Sequence, residues 1–130
     1  MTVKPAAGFL KRLLACLRAD ASFSPCGLYR WELHRPVLRS SGEDGLRLLL
    51  FVGLNPSTAD GDRDDPTLRR LQAFARDWGY DQLVVLNLFG RISASPAALG
   101  RCRDPVGRCS DQVLRSWFGR WSGSPSWDLW

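Results

Sequence analysis

Patterns typical of metal sites and membrane spans are missing from this sequence. Its one histidine is His34, and its four cysteines include no C-x-x-C pair, the spacing that zinc and iron–sulfur sites use. We therefore predict no metal ion and no cofactor. The longest strongly apolar run, residues 48–54, is far shorter than the roughly 18 residues that a membrane span needs. We accordingly predict no transmembrane helix and no membrane partner.

Disulfide signatures and lysine are scarce as well. The cysteines are most simply interpreted as reduced thiols, which are typical of a cytoplasmic protein. Only Lys4 and Lys11 occur among 18 basic residues, the others are arginine, and with 13 acidic residues the formal net charge is +5. Arginine suits phosphate contacts, so this charge is compatible with nucleic acid as a partner without pointing to it.

The 130 residues, 45% of them hydrophobic, are enough for one globular domain between two short segments. Residues 1–21 predict a basic amphipathic helix, and residues 22–118 predict a single α/β domain. Residues 119–130 mix tryptophan with Ser, Gly and Pro in neither a helical nor a strand period, which predicts an irregular tail. Because this tail does not resemble the further strand that the fold requires, we expect the C-terminal part to be missing or frame-shifted.

Three strands are predicted inside the domain. Residues 28–34 alternate between apolar side chains and polar ones, as in a half-exposed edge strand with Tyr29, Trp31 and Leu33 on its apolar face. Residues 47–53 and 82–88 are continuous apolar runs, as in strands that are buried on both faces. These two runs are the predicted centre of the sheet.

A helix is predicted between those two buried strands. Asp65 has the residue type and position of an N-cap, Pro66 suits the first helical position, and Gly79 ends the apolar stripe. A strand–helix–strand unit has parallel strands and a right-handed crossover. We therefore predict a three-layer α/β/α sandwich with a mainly parallel sheet, incomplete at its C-terminal end.

Candidate binding residues follow both buried strands. Ligands of open α/β sheets bind beyond the carboxyl ends of the strands. An asparagine amide offers a donor and an acceptor there and can contact the edge of a nucleobase, although Asn, Gly and Pro are equally common turn formers. The candidates are Gly53, Asn55, Pro56 and Ser57 after the first strand and Asn87, Phe89 and Arg91 after the second.

An acidic run, residues 60–65, lies between the first of these strands and the helix. Its spacing fits the start of a calcium loop, but Asp65 occupies the position that requires glycine and Leu71 the position of the bidentate glutamate. Acidic residues near a helix N-terminus also stabilise the helix dipole. A structural role is therefore the preferred interpretation of these acids.

Several segments together resemble a known family. FSPCGLYRWELHR, GLNPSTADGDRDDPT, VVLNLFGR and RDPVGRCSDQVL resemble a bacterial and phage family of domains of unknown function, number 1643, over about residues 23–114. The resemblance to this family implies no particular activity. More distantly, the sequence is similar to the uracil-DNA glycosylase superfamily, an α/β/α sandwich in which a G-x-[DN]-P motif positions the hydrolytic water and a later asparagine contacts the flipped uracil.

This second resemblance implies roles for the candidate residues. Asn55, in Gly53-Leu54-Asn55-Pro56, would orient a water toward the sugar, Asn87 would bind the base edge, and Phe89 would stack on it. Pro56, Ser57 and Arg91 would complete the substrate site. The late His-Pro-type loop of the superfamily has no counterpart, since no histidine follows His34, and this departure puts hydrolysis of N-glycosidic bonds in question.

The predicted function is thus a glycosylase-like protein that binds a nucleotide or nucleic acid such as DNA. The alternative is a non-enzymatic protein-interaction module or truncated remnant, in which the acidic loop and the apolar tail contact a partner. A hydrolase with Ser57 as nucleophile is a third hypothesis, for which the sequence offers no identifiable base to activate the serine. The oligomeric state is not indicated by the sequence.

Overall fold

The computed structural model describes residues 19–37 and 47–130, so most of the predicted N-terminal helix lies outside the described residues. Residues 20 and 21, included in that prediction, belong instead to the first strand. The described elements are strands β1 (Asp20–Phe23), β2 (Arg30–Pro36), β3 (Leu48–Gly53), β4 (Gln82–Asn87) and β5 (Trp127–Leu129), and helices α1 (Pro66–Asp77), α2 (Pro96–Gly100) and α3 (Ser110–Ser122).

The five strands form one mixed sheet in the order β1-β2-β4-β3-β5. The parallel β3–α1–β4 unit is confirmed, and β5 adds a second parallel pairing on β3. β2, however, runs antiparallel to both of its neighbours, β1 and β4. The predicted uracil-DNA-glycosylase-like sandwich with a mainly parallel sheet is therefore wrong. A short turn joins β1 to β2 and imposes antiparallel pairing on that side of the sheet.

β2 differs from the predicted edge strand in position and in pattern. It lies between β1 and β4, so both of its backbone edges are paired. A register shift opposite Ser22 and Phe23 places one extra β2 residue, Trp31, in the ladder. Such a bulge interrupts the two-residue alternation. As a result Arg30, predicted to lie on the polar face, is buried together with Leu33.

Two apolar cores cover the two faces of the sheet. α1 packs Leu68, Leu71 and Ala75 over one face, and α3 packs Leu114 and Trp117 over the other. Asp65 caps α1 through a 2.7 Å bond from the Leu68 amide to its Oδ1, and Pro66 begins the helix, as predicted. Every residue of β4 is buried, which confirms the interpretation of its apolar run.

Residues 119–130 are more ordered than the predicted irregular tail. α3 continues to Ser122, and β5 then adds to the edge of β3. The Trp130 amide donates to Leu50 O at 2.8 Å, and the Val52 amide donates to Trp130 O at 3.0 Å. The tryptophans therefore contribute packing and backbone pairing beside β3. Among the residues described, no helix combines the length and apolar character that crossing a membrane requires.

Candidate functional site

A pocket of about 190 Å³ lies at the carboxyl ends of β3 and β4, beside the first turn of α1. Its volume is slightly larger than the roughly 150 Å³ apolar cavity that holds benzene, so one six-membered ring fits. The apolar part of the wall comes from the sheet and α1: Leu33, Phe51, Leu54, Leu68, Leu71 and Val85. Polar groups converge on the same space from Arg30, Asn55, Ser57, Asp65, Thr67 and Asn87.

Asn87 is the central amide of this pocket. It is the last residue of β4, pairs in register with Gly53 of β3, and is only 8% exposed. A Cβ at position 53 would lie 3.0 Å from Asn87 Nδ2 and 3.1 Å from Phe51 Cε1. Glycine at this position therefore leaves the room that the Asn87 amide occupies.

Arg30 binds the Asn87 side chain from β2. Its Nη2 donates to Asn87 Oδ1 at 3.2 Å, and its Nη1 donates to the Ala59 carbonyl at 3.0 Å. Desolvation by burial lowers the pKa of Arg30 to about 10, and the nearby Asp65 charge works in the opposite direction. The guanidinium accordingly stays charged at neutral pH although it is only 5% exposed.

Asp65 places a negative charge on the wall that also carries Arg30. Its carboxylate is held at the start of α1 by the amide of Leu68. The pocket lining thus contains one buried cation and one carboxylate of opposite charge. Because these charges offset each other, the pocket suits a polar ligand without net charge better than a free anion.

Asn55 holds the loop that follows β3. Its Nδ2 donates to the carbonyls of Pro56 and Ser93, each at 3.0 Å. Both bonds use the donor side of the amide, so only its oxygen is left for a ligand or a water. The asparagine therefore has a structural task in addition to facing the pocket.

The residues of this pocket lie within a segment that matches a known protein family. The model of a family described as protein of unknown function, DUF1643, matches residues 30–124. The chain belongs to the DUF1643 family. All the residues that line the pocket, from Arg30 to Asn87, fall inside the matched part of this DUF1643 domain. Searches of curated proteins and of solved structures gave no match.

Four of the seven candidate residues of the DUF1643 domain line one pocket. They are Gly53, Asn55, Ser57 and Asn87. The other three lie outside its lining. Pro56 is fully buried, the Phe89 amide bonds to Leu54 O at 2.9 Å, and the Arg91 guanidinium lies 5.8 Å from the centre of the Tyr29 ring.

The one histidine of the sequence, His34, does not lie beside the candidate nucleophile Ser57. His34 bonds to Glu32 at 3.0 Å and to Gln82 at 3.2 Å, and it packs against Trp117 of α3. That contact places the imidazole on the sheet face opposite α1, away from the pocket. The serine-hydrolase reading therefore gains no support.

Sequence reasoning missed Arg30 and Thr67 as pocket residues and recognised Asp65 only as a helix cap. Strict alternation assigned Arg30 to the polar face, and the bulge in β2 reverses that assignment.

The acidic run is engaged in structural contacts. Asp60 Oδ1 accepts the amides of Asp62 and Arg63 at 2.9 and 2.7 Å. Asp64 accepts Arg35 Nε and Gln72 Nε2, each at 3.0 Å. Within residues 19–37 and 47–130, no group of three His, Cys, Asp or Glu side chains is arranged to hold a metal ion.

Proposed function

We propose that this DUF1643 domain binds a nucleobase, carried by a nucleotide or by single-stranded nucleic acid, in the pocket at the ends of β3 and β4. The observation that carries the proposal is the Asn87 amide at the wall of an apolar, ring-sized pocket. An amide beside apolar walls is the arrangement by which proteins recognise an unstacked base: hydrogen bonds to its edge and contact with its faces.

The charges of the domain support the same ligand. Arg30 and Asp65 offset each other in the lining, which favours an uncharged ring inside the pocket. The formal net charge of +5 over the whole chain is compatible with the phosphates that accompany a base in a nucleotide or a nucleic acid strand. The base would therefore occupy the pocket while the phosphates stay outside it.

Binding is better supported than cleavage of an N-glycosidic bond. Both N–H donors of the Asn55 side chain bind carbonyls of the loop. Asp65 supplies the carboxylate of the pocket lining, and this carboxylate already caps α1. An amide cannot take a proton at neutral pH, so Asn55 could orient a water but not deprotonate it. We accordingly propose a binding domain.

The test is a calorimetric titration with uridine monophosphate and with single-stranded DNA that contains uracil. Asn87→Ala removes the central amide and should weaken binding about tenfold, the loss expected for one hydrogen bond to a buried partner. Gln72→Ala is the matched control, because Gln72 carries an amide on α1, bonds to Asp64 and is not part of the pocket lining. It should bind like the wild type.

Two results would contradict the proposal. Equal affinities of Asn87→Ala and the wild type would remove Asn87 from the site. No binding of either ligand by the wild-type protein would contradict nucleobase recognition itself and favour the interaction-module alternative.

A further inference from the structure

We propose that Arg30 is a positioning residue that fixes the orientation of the Asn87 amide, so that the pocket receives a hydrogen-bond donor and prefers a ring with an acceptor at the contacted position. This inference rests on the proposed nucleobase binding. It adds a residue that determines specificity and that belongs to a different strand from Asn87.

The first support is the direction from which Arg30 enters. The bulge at Trp31 places Arg30 on the same sheet face as Leu33, under α1. Bulges are known to redirect a side chain next to a functional site. Without the extra residue, alternation would direct the guanidinium to the face that α3 covers. The local backbone irregularity therefore delivers this cation to Asn87.

The second support is the hydrogen-bond geometry of the pair. Arg30 donates from Nη1 to Ala59 O and from Nη2 to Asn87 Oδ1, which anchors the guanidinium at two points. A half-turn of the Asn87 amide would place its NH2 group against Nη2, and two donors would then face each other. Arginine has no acceptor to offer, so the reversed amide would lose a charge-assisted bond.

The third support is the Asn87 group that a ligand can contact, Nδ2. Its oxygen is engaged by Arg30, and its Nδ2 lies beside Gly53, where a side chain would approach it to 3.0 Å. Gly53 lines the pocket and contributes no side chain to block that group. A ring with an oxo group can accept from Nδ2, whereas an amino group in the same place would meet it donor to donor.

Arg35 provides a matched control in the same strand. It is also 5% exposed, and its guanidinium donates to Asp64 and to the carbonyls of Asp60 and Arg63. It thus makes comparable structural contacts with the loop before α1, yet it is not among the residues that line the pocket. Loss of Arg35 tests the structural effect of removing a buried arginine from β2.

The experiment measures the affinities of uridine and cytidine monophosphate, whose rings carry an oxo and an amino group, respectively, at position 4. The neighbouring N3 is correspondingly a donor in uridine and an acceptor in cytidine. The wild type should prefer uridine monophosphate by about tenfold, the value of one hydrogen bond made or lost in a pocket. In Arg30→Met the ratio should fall toward one, because the freed amide can turn to suit either ring. Arg35→Met should keep the wild-type ratio even if its melting temperature falls.

Two further measurements cover the case in which Arg30→Met does not fold. Arg30→Lys keeps a positive charge, but its single ammonium cannot reproduce the two-point contact, so its ratio should also fall. In the wild-type protein, the Asn87 side-chain NMR signals should shift strongly with uridine monophosphate and weakly with cytidine monophosphate. Equal shifts would overturn the role of Arg30 without any substitution.

The outcomes separate this inference from the proposed function. If the wild type binds a nucleotide and an Arg30 variant retains the wild-type ratio, the positioning role is overturned while base binding stands. If the wild type binds neither nucleotide, the proposed function fails, and the inference fails with it.

Discussion

Gly53 and Asn87 face each other across β3 and β4, and their contact decides the shape of the pocket. The Cβ of any side chain at position 53 would approach Asn87 Nδ2 and the Phe51 ring more closely than in ordinary van der Waals contact. The strand-end location of both residues was predictable, because apolar runs mark the strands and polar residues follow them. The close approach of these two residues was not predictable, because it depends on the exact parallel register of β3 and β4.

Gly53→Ala adds only one methyl group, yet this group should disturb the pocket. The added Cβ would lie 3.0 Å from Asn87 Nδ2, so the amide must shift, and overpacking of this kind costs about 1–3 kcal/mol of unfolding free energy. Nucleotide affinity should fall together with stability, measured by calorimetry and denaturant unfolding. Gly119→Ala is the control, because a Cβ there meets nothing within 4 Å, and it should leave affinity unchanged and stability equal or higher.

Glu32 should make the stability of the domain sensitive to acid. Its carboxylate accepts His34 Nε2 at 3.0 Å and Trp117 Nε1 at 2.9 Å, and the His34 bond is the main reason that the pKa of Glu32 lies below its ordinary value. A lowered folded-state pKa means that the stabilisation is complete above the unfolded-state pKa. It is then lost as pH falls through the folded-state pKa.

Glu32→Gln tests this pH dependence. Thermal unfolding between pH 6 and pH 3, a window of about one and a half units to either side of the ordinary value of 4.5, should show a smaller acid-induced decrease for the variant than for the wild type. Parallel curves for the two proteins would show that the pKa of Glu32 is not shifted by folding.

β5 and β2 show why elements differ in how well a sequence predicts them. The β3–α1–β4 unit was predictable because two apolar runs, the Asp65 cap and Pro66 all agree. β5 has only three residues, too few for a period, and forms because its backbone pairs with the exposed edge of β3. β2 was recognised as a strand, but its bulge and its position inside the sheet follow from pairing with β1 and β4.

Trp127→Ala should reveal that β5 is an integral part of the sheet. The Trp127 ring is partly buried against the core under α3, with its centre 5.9 Å from that of Trp117. Its truncation should lower the unfolding free energy by about 2 kcal/mol, less than for a fully buried tryptophan. Limited proteolysis should in turn cut residues 119–130 faster in the variant than in the wild type. Equal resistance and equal stability would show that β5 contributes nothing.

The direction of β2 in the complete sheet explains how the pocket acquires its cation. Because β2 runs antiparallel to β4, its first residue, Arg30, lies at the end of the sheet where β4 finishes with Asn87. A β2 parallel to β4 would place Arg30 at the opposite end. The feature that contradicts the predicted fold is thus the one that completes the candidate site, and no local pattern near Asn87 could have shown it.

The net charge of the whole chain predicts different salt dependences for two kinds of ligand. With a net charge of +5, single-stranded DNA should lose affinity as salt rises, because bound phosphates release counterions. Between 50 and 200 mM salt the loss should be about 20-fold if three phosphates are contacted, from a slope of about −0.7 per phosphate. The affinity for uridine monophosphate should fall far less, because its ring occupies a pocket in which the charges of Arg30 and Asp65 offset each other. Equal losses for both would contradict this division between base and phosphate contacts.

A crystal structure of the protein with uridine monophosphate would show where the base binds. We expect the pyrimidine ring inside the pocket, against Phe51 and Leu68, with a ring oxygen about 2.7–3.2 Å from Asn87 Nδ2. The Arg30 contact to Asn87 Oδ1 should be retained. A ring bound elsewhere on the protein, or an Asn87 amide turned with its oxygen toward the ring, would contradict this expectation.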